Sequence, residues 1–296
     1  MKISILFLFI AIFPCTTHAT TYETHGNLIG KIQYYTVKEK DTLYTIARKF
    51  DVGIVELLSA NPKANIWKPK IGTELIIPTQ HILPQVAHEG IIANLSELRL
   101  YYFTADNNVM TFPVAIGKKN WETRQGETSI IMKVEHPSWT PPQSIREENP
   151  DLPDIIPAGK NNPLGDYAIK LGWQNYVIHG TNKPYSVGKR ASHGCIRMYP
   201  EDIAQLFSAI SVGTKVTVID TEYKLSWHGI NLFIEVNYNQ EQSDIVAQNK
   251  IPKIWKIKGL DDGIKKIAGN NANIDWEAVK KAATQKNGVP TVIGTH

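Results

Sequence analysis

Residues His179–Arg197 read HGTNKPYSVGKRASHGCIR. This stretch holds a cysteine, Cys195, with a histidine two positions before it, another at the start of the stretch, and an arginine two positions after it. A thiol, an imidazole able to take its proton, and a glycine that lets backbone N–H groups approach a substrate are the parts of covalent acyl-transfer chemistry. Val177-Ile178 reads as the end of a β-strand that delivers His179, with Gly180 following. The segment from Thr181 to Ala191 is then a loop able to fold back and set the His179 ring beside the Cys195 sulfur. His179 is the expected general base, raising the thiolate fraction through a thiolate–imidazolium pair. His193 is expected to order the loop or line the substrate site. The N–H groups of Gly194 and Cys195 are candidate oxyanion donors. Arg197 could hold a substrate carboxylate through a bidentate contact or form an internal ion pair. Ser192 reads as a turn hydroxyl or a support for a histidine.

Other chemistries fit less well. A zinc site wants four ligands, and His179, His193 and Cys195 supply three with no clear fourth nearby, so no metal or other cofactor is expected. No G-x-S-x-G elbow for a serine hydrolase is present. The 296 residues are 42% hydrophobic and 20% charged, enough for a sizeable core, and the net charge is +4. With no dense Lys/Arg tract, nucleic acid is not an expected partner.

The N-terminus points outward. Lys2 precedes the apolar run from Ile3 to Phe13, and Thr17-His18-Ala19 offers small residues for cleavage. Residues 1–19 therefore read as a secretory signal peptide, with lipid attachment at Cys15 as the alternative. No later segment is apolar enough to span a membrane. Cleavage would leave Cys195 as the one cysteine, which excludes an internal disulfide.

Residues 20–30 and 79–90 read as linkers. Between them, residues 32–78 form a β-α-α-β pattern. Ile32 to Val37 is strand-like, Asp41 is the expected cap of a helix with Leu43, Ile46, Ala47 and Phe50 on one face, and a second helix with Ile54, Leu57 and Leu58 stops at Asn61-Pro62. Glu74 to Ile77 closes the unit. Asn61 could be a turn former or a sugar ligand. Further on, Ile91–Leu95, Arg99–Phe103 and Val109–Ile116 read as antiparallel hairpin strands. Seven prolines between Pro137 and Pro163 make a long packed loop, expected to wall or cap the site. Tyr199-Pro200-Glu201-Asp202 opens a helix. Residues 221–296 suggest a hairpin around Gly229 and a helix from Ile274 to Ala283.

Two resemblances rest on these residues. Tyr35-Thr36-Val37, Asp41 to Ala47, Leu58 to Pro62 and Ile71 to Pro78 resemble a LysM domain, which implies binding to N-acetylglucosamine-containing glycans such as peptidoglycan. His179-Gly180-Thr181-Asn182, Ser192-His193-Gly194-Cys195-Ile196-Arg197 and the upstream Pro157 to Gly165 segment resemble the L,D-transpeptidase (YkuD) catalytic domain, over about residues 89–220. The resemblance implies a mostly β catalytic domain with short helices behind the small LysM module, an α+β chain overall. It implies that Cys195 attacks the carbonyl between the third residue of a peptidoglycan stem and D-alanine at position four, forming a thioester. His179 would take the thiol proton and return one to the leaving amine. An amine of a second stem, or of an outer-membrane protein, would resolve the thioester in the periplasm. Carbapenem acylation of Cys195 is expected by the same analogy. A hydrolase using water as acceptor, or a non-catalytic wall-binding protein, remain open from sequence.

Overall fold

The computed structural model describes residues 20–24 and 26–296; the expected signal peptide lies outside the described residues. Among them no helix is long and apolar enough to cross a membrane. The body is a nine-stranded sheet. From one edge its strands are Thr20–Glu23, Asn108–Pro113, Arg99–Phe103, Gly90–Asn94, Lys215–Ile219, Gly126–Glu135, Tyr167–Leu171, Val177–His179 and Ile196–Arg197. The last strand also bridges back to Ala115, which exchanges both backbone hydrogen bonds with Arg197 at 2.8 and 2.9 Å. The sheet thereby curls toward its own beginning. Its filling is apolar, with Ile91, Leu100, Phe112, Ile116, Ile169, Ile178, Met198 and Ile203 all buried.

The expected hairpins of Gly90–Asn94, Arg99–Phe103 and Asn108–Pro113 are antiparallel, and two other pairings within this sheet are parallel: Gly90–Asn94 with Lys215–Ile219, and Val177–His179 with Ile196–Arg197. Parallel neighbours cannot be joined by a tight turn, because the chain must travel back along the strand before re-entering. That requirement accounts for the long spacer between His179 and Cys195.

The small module is the expected β-α-α-β unit. Gln33–Thr36 pairs antiparallel with Glu74–Ile77, and helices Leu43–Lys49 and Ile54–Ala60 lie between them. Thr42, not Asp41, caps the first helix, through a capping box with Thr45. Asp41 is spent one step earlier, accepting from the Lys38 N–H at 2.8 Å and the Tyr35 hydroxyl at 3.0 Å. Asn61 is a turn residue. Its amide donates to the Leu57 and Ile76 carbonyls and its oxygen accepts the Ile76 N–H.

The module is seated on the body. Every residue of Ile54–Ala60 is buried. Glu56 meets the fully buried Arg99 of the main sheet at 2.7 Å. Gly188, at φ +76°, lies against Gly53, and a Cβ there would fall 2.3 Å from the Ile54 nitrogen, so only glycine allows this approach.

The two expected linkers are structured. Thr20–Glu23 adds an edge strand to Asn108–Pro113, and Leu28–Gly30 pairs with Gln80–Ile82. Their polar composition hides them, since an edge strand needs only backbone pairing on one side. The second brings His81 into a buried ionic cluster, 3.7 Å from Glu97 and 3.6 Å from Glu56. There the Lys224 ammonium bonds Glu97 at 2.6 Å and Glu235 at 3.0 Å.

The chain ends in a four-stranded sheet with its own core of Leu225, Leu232, Ile234, Ile264, Val279 and Ile293. The hairpin around Gly229 is Tyr223–His228 with Asn231–Val236, and the expected helix is Trp276–Gln285. Strands Asn273–Ile274 and Thr291–Thr295 and helix Leu260–Ala268 complete it, while helix Gln240–Val246 sends Val246 into the main core.

Candidate active site

Parallel register fixes the site. Ile178 stands opposite Ile196 and His179 opposite Arg197. Continuing by one residue sets Val177 opposite Cys195. Residues in register across a parallel pair, and those two apart along each strand, share a face. The His179 imidazole therefore lies on the same face as the Cys195 sulfur and the Arg197 side chain.

His179 is buried, 3% exposed. Its Nδ1 is 2.6 Å from the Gly180 carbonyl oxygen. A carbonyl only accepts, so Nδ1 carries the proton and Nε2 keeps a lone pair. Burial, with the nearby Arg197 charge second, pushes its pKa down to about 3. The ring rests neutral. Burial also pushes the Cys195 thiol up, against smaller opposing effects of the Val177 N–H and Arg197. The thiol donates to the Asn175 carbonyl, 3.6 Å away. Both groups are thus uncharged at rest, and the expected thiolate–imidazolium pair is not the resting state. The low-dielectric setting disfavours it, because two charges would have to be desolvated together. Cys195 itself is only partly buried, which leaves the sulfur reachable.

Gly194 adopts φ +104°. This left-handed turn breaks the alternation that would otherwise aim His193 and Cys195 the same way. The His193 ring packs edge-on to Trp121, with centroids 4.8 Å apart, and its Nε2 lies 2.9 Å from the Glu148 carboxylate. Glu148 ends the short helix Gln143–Glu148 inside the proline-rich segment and also meets Lys118 at 3.3 Å. Through His193 the expected wall loop is fastened beside the nucleophile. The loop is pinned at its base by the fully buried Asn162, which donates to the Pro137 and Pro157 carbonyls.

Of the two candidate oxyanion donors, one is spent. The Gly194 N–H donates to Ser192 Oγ at 3.1 Å, while that hydroxyl donates to the Cys195 carbonyl at 2.5 Å. Ser192 is the turn hydroxyl. Thr123 donates to the Gly194 carbonyl at 2.9 Å and accepts the Gly117 N–H, which locks the same turn from outside. The Cys195 N–H has no such partner among the described residues.

Arg197 makes no ion pair among the described residues, and its Nε is buried without a hydrogen-bond partner. Burial lowers its pKa, the Cys195 sulfur acting weakly the other way. The internal ion pair allowed by sequence is not formed. A partly buried cation without an acid is costly until an anion arrives. Thr123, Asn175 and Glu148 were not signalled in the sequence. Each reaches the site through a contact between segments far apart in the chain.

The L,D-transpeptidase catalytic domain model matches residues 88–218, and the LysM domain model matches residues 35–78. The chain is 35% identical to the probable L,D-transpeptidase ErfK/SrfK of Escherichia coli, over 99% of this chain and 97% of that one. It is 39% identical to the probable L,D-transpeptidase YcfS of the same organism, covering 92% and 86% of the two chains. It is 36% identical to YbiS, covering 94% and 93%. A curled β-rich catalytic unit carrying a LysM module defines the class, and the chain belongs to the L,D-transpeptidase family.

Proposed function

We propose that the protein is an exported, cysteine-dependent peptidoglycan L,D-transpeptidase. The stem peptide of the donor lies over the face shared by His179, Cys195 and Arg197. Cys195 Sγ attacks the carbonyl between stem residue three and D-alanine at position four, and its proton passes to His179 Nε2. The carbonyl oxygen, now charged, meets the Cys195 N–H. Donors of this kind contribute about 3 kcal/mol each. The tetrahedral centre collapses as the C–N bond breaks, the His179 proton goes to the departing amine, and D-alanine leaves a thioester on Cys195. The unpaired Arg197 guanidinium receives a carboxylate of the donor stem. An acceptor amine then attacks the thioester, giving up a proton to His179, and the thiol is restored. That amine belongs to a second stem or to an outer-membrane protein tethered to the wall. The LysM module holds the glycan, and the reaction takes place in the periplasm.

The observation that supports this reading is the buried His179, its Nδ1 on the Gly180 carbonyl, standing on the face of the parallel strand pair that also bears the thiol. Incubating the protein lacking residues 1–19 with a disaccharide-tetrapeptide and weighing the products tests it. A cross-linked dimer short of one D-alanine is expected, and none should form with Cys195→Ala. Tripeptide alone would mean that water is the acceptor and the protein a hydrolase. No turnover with retained binding to wall sacculi would leave only a binding protein.

A further inference from the structure

The residues after the catalytic body take no part in the chemistry above, yet one of their helices reaches the strand that leads into the nucleophile turn. Asp244, in helix Gln240–Val246, accepts from Arg190 Nη1 at 2.8 Å. Arg190 opens the strand Arg190–Ser192, which runs directly into His193, Gly194 and Cys195. Its side chain is 4% exposed, so water answers little of the guanidinium charge. Its Nε donates to the Gly117 carbonyl at 3.0 Å. One rigid fork of N–H groups thus spans two acceptors, a geometry that suits arginine and not lysine.

Gly117 passes the contact on. Its strand, Ile116–Gly117, pairs with Arg190–Ser192, and a Cβ on Gly117 would fall 1.9 Å from the Trp121 carbonyl oxygen, so the backbone there is tightly enclosed. The Gly117 N–H donates to Thr123 Oγ1 at 2.9 Å, and that hydroxyl donates to the Gly194 carbonyl at 2.9 Å. The Gly194 carbonyl and the Cys195 N–H belong to one peptide unit. Because that unit is planar, fixing the carbonyl also aims the N–H, and a donor on the carbonyl polarises it. A continuous path of hydrogen bonds therefore runs from the Asp244 carboxylate to the N–H proposed above to meet the oxyanion.

The far end of the path is anchored. Asn239 caps the start of the helix, Val246 is buried in the main core, and Asn249 beyond its end accepts the Ile66 N–H of the small module at 2.8 Å. Glu122 also faces Arg190, but at 3.6 Å, outside hydrogen-bond distance, and with its side chain 58% exposed. Asp244 is the nearer and better sheltered acid.

We propose that Asp244 is a positioning residue of the active site: acting through Arg190 and Gly117, it holds the peptide between Gly194 and Cys195 in the orientation that acylation needs. The proposal rests on reading Cys195 as an acyl-accepting nucleophile, and it makes the C-terminal helix a working part of the catalytic body. Without Asp244 the guanidinium is a buried cation with only a distant acid, and it leaves the Gly117 carbonyl for Glu122 or solvent.

The test uses the full chain lacking only residues 1–19. The backbone amide resonances of Gly194 and Cys195 are read by NMR without substrate, and acylation by a carbapenem is resolved into a saturating rate and an apparent affinity. In Asp244→Ala both amides should shift, and the saturating rate should fall by about tenfold or more with apparent affinity within about threefold. Asp244→Asn, which keeps an oxygen for the guanidinium, should lose less, and it serves if the alanine variant does not fold. Glu241→Gln removes the same charge from an exposed position on the same helix and should leave both amides in place and the rate within about twofold. Thermal unfolding checks that each variant is folded. Unmoved amides in Asp244→Ala, shifted amides with wild-type acylation, or an equal loss in Glu241→Gln would each overturn the positioning role. Asp244-dependent acylation in a protein whose wild type yields no cross-linked product would retire the transfer reaction and keep that role. A wild type that no carbapenem acylates would overturn both.

Discussion

The His193 imidazole lies 2.9 Å from the carboxylate of Glu148, a residue of the proline-rich loop, although its own position is two residues from the nucleophile. Sequence proximity and proposed role are thereby separated: the nearer histidine fastens a wall, and the distant one is the proposed base. His179→Ala should slow thioester formation by about 10²–10⁴-fold, the usual worth of a general base. His193→Ala loses one partly exposed contact to a carboxylate and should cost less than about tenfold. Stopped-flow acylation by a carbapenem, followed by mass of the adduct, gives both numbers, and the opposite ranking would exchange the two roles.

The pH profile should be wide. With its pKa at about 3, His179 remains a base far below the range in which a free imidazole is lost. Acylation rate should therefore show no acid limb near 6.5, falling only as pH approaches 3 in a chain that remains folded. The linked stability has the same sign. A histidine with a lowered folded pKa contributes fully above its unfolded value of about 6.5, and that contribution is lost as pH falls toward 3. A half-point between pH 6 and 7 in single-turnover acylation would mean the ring is not buried as described.

Gly194→Ala places a Cβ on backbone at φ +104°, with the Tyr176 ring 3.4 Å away. The left-handed strain should cost about 1–2 kcal/mol of stability. The turn that aims the Cys195 N–H should shift with it, so acylation should fall more than stability alone explains. Denaturant titration alongside acylation kinetics checks this, and wild-type acylation would detach the turn from the chemistry.

Asp202 of helix Pro200–Ala209 and Asp51 of the module both bury a carboxylate oxygen without a partner. Burial first, then mutual charge for Asp202, pushes that carboxyl well above the ordinary range, and burial pushes Asp51 up to about 6. Raised folded values mean that the folded state binds more protons. Their contribution is present below about pH 4 and is lost as pH rises, for Asp51 through about 6 and for Asp202 through its own raised value. Asp202→Asn should stabilise the protein by about 1–3 kcal/mol at pH 8, with little change at pH 4. Melting curves at the two pH values decide it, and equal shifts at both would rule out the titration.

Much of the site could be read from the chain because its chemistry is local in sequence. Ser192 to Arg197 is one short turn, and the need for a crossover between parallel strands explains why His179 stands so far upstream. The module was legible for a similar reason, since Leu43, Ile46 and Ala47 repeat at helical spacing. The partners that complete the site were not. Glu148, Thr123 and Asn175 carry no pattern of their own and matter only through contacts across the fold. Thr20–Glu23 escaped notice because an edge strand needs no apolar face. Gly194 was singled out as an oxyanion donor, but its N–H serves Ser192, which side-chain identity alone does not reveal.

The uncharged thiol described at Cys195 has a further consequence. Peroxides and foreign disulfides attack sulfur through its anion, so a sulfur kept protonated ages slowly, which suits the export proposed above. Its reactivity is released only when a carbonyl arrives and the proton has somewhere to go. On the proposed mechanism, the protein idles between turnovers with its sulfur guarded by protonation alone.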